Sequence, residues 1–220
     1  MKQKLDRQTM AMRVAMEFQD GDVINLGAGI PTLCAGYLPE DREVFLQSEN
    51  GVLGYGSLAE EGERDSNLIN ASGEFVTLRP GISFFSSAEA FNMIRSGHID
   101  IAVLGAYQVS ERGDLANWML PHRGTGNIGG AIELVVGAKR VIAVMEHTTR
   151  NDEPKLVRRC TYPLTSKECV KLVVTDISVV EVTKEGFLLV EVAPGFTPEE
   201  VQSMTEAPLI VSPDLKEIEL

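Results

Sequence analysis

The sequence predicts an α/β protein, a mostly parallel sheet with helices on both faces and a β-rich C-terminal part. Three observations carry this. Short apolar runs alternate with segments of helical periodicity through the first two thirds of the chain, the rhythm of βα units. Residues Ile99 to Ala106 are almost continuously apolar, as in a strand buried on both sides of a parallel sheet. Past Pro154 the pattern changes to strand-like runs separated by tight turns.

The elements follow in order. From Asp6 to Gln19, Met10, Ala11, Val14, Ala15 and Phe18 recur at helical spacing, and Asp20-Gly21-Asp22 ends the helix. Val23 to Leu26 reads as a short strand. Gly27-Ala28-Gly29-Ile30-Pro31 then turns into a short helix that ends by Pro39, with Pro31 suited to a first helical position. Val44-Phe45-Leu46 is a buried strand, interrupted by Ser48-Glu49-Asn50-Gly51 before Val52-Leu53. Glu60 to Asp65 is an acidic surface loop. Phe75 to Leu78 and Ile82 to Phe85 are strand candidates. Ser86 and Glu89 form a capping box for a helix through Ala90, Phe91 and Ile94 that closes at Gly97. A helix from Gly130 to Ala138 leads to a strand from Arg140 to Glu146. In the tail, Leu172 to Thr175 and Val179 to Val182 are strands, and Lys184-Glu185-Gly186 turns into Phe187 to Val192. Thr197, Pro198 and Glu200 cap a last short helix. With no repeat and no low-complexity linker, residues 1–220 are expected to form a single domain.

Composition excludes several classes. The net charge is −12 at 44% hydrophobic and 24% charged residues, which argues against nucleic-acid binding, since that needs a basic face. No apolar run approaches the roughly 20 residues that span a membrane. The first residues lack a signal-peptide pattern, so a cytoplasmic location is expected. Cys34, Cys160 and Cys169 show no Cys-x-x-Cys spacing and read as reduced structural thiols. His98, His122 and His147 are scattered with no second ligand at metal spacing, and no metal site is expected.

The turn at Glu49 stands where open α/β sheets place their ligands, beyond the carboxyl end of a strand. Spacing alone would leave it an ordinary Asn-Gly turn. However, Leu46-Gln-Ser-Glu49-Asn-Gly-Val-Leu-Gly54 resembles the active-site signature of class I CoA-transferases of the 3-oxoacid type, in the β half that carries the catalytic glutamate. The resemblance extends from Asn25-Leu-Gly-Ala-Gly-Ile-Pro31 to Cys160-Thr-Tyr-Pro-Leu-Thr165. It implies that Glu49 is the nucleophile, forming a glutamyl-CoA thioester in ping-pong exchange between an acyl-CoA and a carboxylic acid. The acid would be of the 3-oxoacid, acetate, butyrate or succinate type. Coenzyme A is then a substrate, with no tightly bound cofactor. The resemblance also implies a homologous α subunit, in a heterodimer, an α2β2 assembly or a larger one, with the site between the two.

Glycine-rich segments supply the remaining candidates. Gly27 and Gly29 could let a ligand approach backbone before a helix N-terminus, or could serve strand-to-helix packing alone. In the family, backbone N–H groups around Gly129 and Gly130 face the reacting carbonyl, and donors at a helix N-terminus suit an oxyanion. Asn50 offers a neutral hydrogen bond beside the nucleophile. The same region contains Gly124-Thr-Gly126-Asn-Ile-Gly129, a literal G-x-G-x-x-G with Glu146 about twenty residues on. This supports an alternative, an NAD(P)-dependent oxidoreductase using the Gly124, Gly126 and Gly129 turn. The fingerprint needs a strand running straight into its first glycine, and Ala116-Asn-Trp-Met-Leu-Pro121-His-Arg123 does not read as one.

Overall fold

The computed structural model describes residues 2–39 and 41–219. The chain begins with α1 (Arg7–Ala15), whose first turn is capped by Asp6 accepting from the Thr9 N–H at 2.7 Å. It continues through β1 (Val23–Leu26), the one-turn α2 (Ile30–Leu33), β2 (Phe45–Ser48), β3 (Val52–Tyr55) and β4 (Ser83–Phe84). Next come α3 (Ser87–Arg95), β5 (Ile101–Gly105), β6 (Gln108–Ser110), β7 (Leu115–Ala116), α4 (Ala131–Gly137) and β8 (Arg140–Val144). The last part comprises β9 (Leu156–Val157), β10 (Val170–Val174), β11 (Ser178–Thr183), β12 (Gly186–Val192), α5 (Pro198–Ser203) and β13 (Leu209–Glu217).

Ten strands make one sheet in the order β13-β12-β11-β10-β8-β5-β1-β2-β3-β4. Its centre, β10-β8-β5-β1-β2, is parallel throughout, and antiparallel strands flank it on both sides. Alternate residues of the central strands feed two cores, because side chains on a strand point to opposite faces. Ile24, Leu26, Ile101, Val103, Ile142 and Val144 pack with Met10, Ala11 and Val14 of α1 and Ile30 of α2. Ala102, Leu104, Val141, Ala143 and Val173 pack with Ile94, Leu134, Val135 and Val201 of α3, α4 and α5. Helices on both faces of a mostly parallel sheet, with a strand-rich C-terminal part, are as expected from sequence.

The connections set the position of the site. β2 lies on one side of β1 and β5 on the other, so the winding direction reverses between β1 and β5. That reversal opens a crevice at the carboxyl ends of the strands. Gly27, directly after β1, fits here because its N–H donates to Val103 O at 2.8 Å. A Cβ on Gly27 would stand 3.0 Å from Leu104 Cδ2.

A buried ion network ties the first helix to the sheet. Arg13, 7% exposed, donates from Nε and Nη2 to the two Glu191 oxygens at 2.6 and 2.9 Å, and from Nη1 to Glu17 at 2.8 Å. Glu17 in turn accepts from Arg140 at 2.7 Å. Burial alone would raise the Glu17 carboxyl, but its two arginines hold it below the ordinary glutamate value.

Several elements differ from the sequence expectation. Phe75 and Val76 form only isolated bridges, to Ile69 and Leu58, and not a strand from Phe75 to Leu78. The first helix stops at Ala15, not Gln19. A three-stranded sheet, β7-β6-β9, and the edge strand β13 have no counterpart in the sequence pattern. Among the described residues, no helix is long and apolar enough to cross a membrane.

Candidate active site

Glu49 follows the last residue of β2 at the carboxyl edge of the parallel strands. The turn after it requires Gly51, whose φ of 111° is open to glycine and whose missing side chain admits the Phe85 carbonyl. Ser48 is buried and its Oγ accepts from the Ala71 N–H at 2.8 Å, which anchors the turn to the loop beyond β3.

Two polar residues within buried strands hold the glutamate. Asn25 of β1 is 1% exposed and Gln47 of β2 is fully buried. Asn25 Nδ2 donates to Gln47 Oε1 at 2.7 Å and to Glu49 Oε2 at 3.1 Å. Gln47 Nε2 donates to the Ala90 carbonyl of α3 at 3.3 Å. Among the described residues Asn25 Oδ1 has no partner, an unusual cost for a buried amide. Sequence reasoning singles out neither residue. A signal for both exists, since each is a polar residue within an otherwise apolar strand that ends at the cleft.

The other carboxylate oxygen meets the N-terminus of α4. A Cβ on Gly130 would lie 3.2 Å from Glu49 Oε1 and 3.3 Å from Phe91 Cε1, so the backbone passes close to the carboxylate. The Gly130 N–H has no acceptor among the described residues, whereas the Gly129 N–H is taken by Asn127 Oδ1 at 3.0 Å. Tyr55 lies buried nearby. Burial raises its phenol pKa well above the usual tyrosine value, and the Glu49 and Glu74 carboxylates raise it further, so it stays neutral.

Glu49, Gly27, Gly29, Gly129 and Gly130 all line one cleft of about 1230 Å³. Asn50 does not line it. That side chain is exposed and donates to the Ile69 carbonyl at 2.7 Å, outside the cleft. The Gly27 N–H is already spent on Val103. His122 lines the cleft from an exposed turn, and His147 is fully buried among Thr175, Ser178 and Thr205 hydroxyls. Burial raises the Cys34 and Cys160 thiols to about 12 and Cys169 to about 11, so all three stay protonated. Among the described residues no cluster of His, Cys, Asp and Glu could hold a metal ion.

The dinucleotide alternative lacks its structural context. Gly124 is entered from a 3-10 turn, Pro121–Arg123, and not directly from a strand. Gly126 lies against Trp118, whose Cε3 would be 2.9 Å from an added Cβ. Glu146, placed where a ribose-binding acid would stand, pairs with Arg7 at 2.9 Å. The glycine run thus lacks the strand-to-helix turn that would cradle a pyrophosphate.

Known proteins resemble this chain over most of its length. The coenzyme A transferase family model matches residues 7–203. One subunit of the 3-oxoadipate CoA-transferase of Pseudomonas putida is 50% identical over 208 residues, covering 94% of this chain and 97% of that protein. The mouse mitochondrial succinyl-CoA:3-ketoacid coenzyme A transferase 2B is 45% identical over 212 residues, covering 96% of this chain but 41% of its own length. Among solved structures, an acyl-CoA transferase apoenzyme from Escherichia coli O157:H7 superposes with a TM-score of 0.75 at 20% identity. That match covers 98% of this chain and 44% of the other.

Proposed function

The chain belongs to the coenzyme A transferase family, as the β-type half of a class I enzyme, and on that premise we propose that Glu49 is its nucleophile. The observation that carries this is the setting of Glu49. It is half-buried at the carboxyl end of β2, held by Asn25 on one oxygen and faced by Gly130 on the other.

The acyl-CoA carbonyl is attacked by a Glu49 oxygen, and CoA leaves as its thiolate, giving an acyl-glutamyl anhydride. The thiolate then attacks the glutamyl carbonyl, which releases the first carboxylate and leaves a glutamyl-CoA thioester. A second carboxylate reverses both steps and departs as its acyl-CoA. One thioester replaces another, so no ATP is needed, and covalent catalysis divides a difficult exchange into easier steps. The Gly130 N–H at the start of α4, which has no acceptor among the described residues, is the donor we assign to the developing oxyanion.

The substrates we assign are short acyl-CoA and 3-oxoacyl-CoA thioesters with carboxylic acids of the 3-oxoacid, acetate, butyrate or succinate type. The names of the bacterial relatives support the 3-oxoacid and succinate members of this range, and a β subunit implies a homologous α subunit that completes the site.

Borohydride tests the assignment directly. The complex with its partner is incubated with acetoacetyl-CoA or another short acyl-CoA and then reduced. The Glu49 peptide should carry an alcohol only after acyl-CoA exposure, and Glu49→Ala should abolish turnover with the fold intact. Near-normal activity in that variant sinks the mechanism.

A further inference from the structure

Asn25 holds Glu49 by one oxygen only. Its Nδ2 donates to Oε2 at 3.1 Å, and among the described residues no donor lies within hydrogen-bond distance of Oε1. The terminal torsion of a glutamate is soft, so a single hydrogen bond leaves the carboxylate free to rock about that end. Packing supplies the second constraint. The point where a Gly130 Cβ would stand is 3.2 Å from Oε1, 3.3 Å from Phe91 Cε1 and 3.4 Å from Phe91 Cζ. The tip of the Phe91 ring and the free carboxylate oxygen thus meet over the same glycine, at the start of α4.

Phe91 is itself fixed from several directions. The Ala90 carbonyl, bonded to the Phe91 nitrogen, accepts from Gln47 Nε2 at 3.3 Å, and Gln47 Oε1 accepts from the same Asn25 amide that holds Glu49. Arg95, one turn further along α3, places its guanidinium 5.5 Å from the centre of the Phe91 ring and pairs with Glu133 of α4 at 3.2 Å. At the far end of α4, Gly137 lies against the Ile94 carbonyl with no room for a Cβ. Contacts therefore run in a closed loop, from Oε2 through Asn25, Gln47 and Ala90 to Phe91, and on through Gly130 to Oε1. Phe91 does not line the cleft, so it acts without touching substrate. We propose that Phe91 is a positioning residue, its ring holding the start of α4 and Glu49 Oε1 at a fixed separation, and that Oε1 is the oxygen that attacks. A bond forms from Oε1 to the thioester carbon, the carbon–sulfur bond then breaks, and CoA leaves as its thiolate. Leaving this oxygen without a donor has a chemical reason. Hydrogen bonds to carboxylates are strong, and one on the attacking oxygen would have to be broken before attack. The proposal rests on the transferase reading.

The test measures glutamyl-thioester formation in a single turnover, on the complex with its partner subunit. Phe91→Ala should lower the rate at least about tenfold while the half-saturating acetoacetyl-CoA concentration stays within about threefold. Phe91→Leu, which refills most of the space, should recover most of the loss. A double-mutant cycle with Gly130→Ala separates positioning from general packing. With the ring removed the added methyl has room, so Gly130→Ala should slow the Phe91→Ala enzyme by a smaller factor than it slows the wild type. Equal factors in the two backgrounds overturn the proposal, as does an unchanged rate in Phe91→Ala or a loss that saturating acetoacetyl-CoA restores. If Phe91→Ala fails to assemble, Phe91→Leu and Phe91→Val decide. The rate should fall with side-chain reach, from Phe to Leu to Val, and the absence of that order overturns the assignment. Absence of a borohydride-reducible Glu49 in the wild type overturns the transferase reading and the positioning role together. A reducible wild-type Glu49 with an unaltered rate in Phe91→Ala removes the positioning role alone.

Discussion

Asn25 donates from Nδ2 to Glu49 Oε2 at 3.1 Å, and its own Oδ1 has no partner among the described residues. A buried amide arranged for stability alone would have both ends satisfied, so this one is organised around the glutamate. Asn25→Ala should slow formation of the glutamyl thioester by about ten- to a hundredfold, because a carboxylate free to swing is displaced from the attacking position. Single-turnover labelling of Glu49 measures this. An unchanged rate in a folded variant would remove Asn25 from the site.

Gly130 makes a second prediction. Its missing Cβ would sit 3.2 Å from Glu49 Oε1 and 3.3 Å from Phe91 Cε1, so Gly130→Ala must displace the carboxylate or the ring by a few tenths of an ångström. Turnover should fall at least about tenfold, while the melting temperature falls only modestly, because glycine caps a helix better than alanine but the Gly130 φ of −86° is open to alanine as well. A variant that loses stability and keeps kcat would contradict this.

The contrast between what is and is not readable in the sequence has physical causes. The capping boxes at Ser86 and Thr197 are legible because both partners of each are close in sequence, and both are present with reciprocal hydrogen bonds. β5 is legible from its unbroken apolar run. β13 is not, because it contains Pro213, and a proline argues against an internal strand. Its place at the sheet edge, with a register shift against β12 between Leu189 and Glu191, accommodates it. Within the site, the position of Glu49 is legible and its supports are not. Asn25 and Gln47 are distant in sequence and meet only because β1 and β2 are neighbours.

His147 gives a pH prediction. It is fully buried, and burial lowers its pKa from 6.5 to about 4, an effect that Lys4 and Lys155 support and Asp176 opposes. Below pH 6.5 the unfolded chain takes up a proton that the folded chain refuses. Stability therefore falls as the pH drops from 6.5 towards 4, by about 3 kcal/mol from this group at the lower end. Thermal unfolding between pH 7 and 4.5 should show a shallower loss for His147→Gln than for the wild type. Parallel curves would assign the acid sensitivity elsewhere.

The chain contains one tryptophan. Trp118 donates from its indole to the Leu164 carbonyl at 3.2 Å, and its own carbonyl accepts from Asn127 at 3.1 Å. Gly126 packs on its ring. The indole is thus joined to the stretch that leads into Gly129 and Gly130, yet it lies outside the cleft lining. Within this subunit, emission from that ring is a built-in optical gauge of the backbone beside the nucleophile. It can follow loading of Glu49 in real time with no attached label.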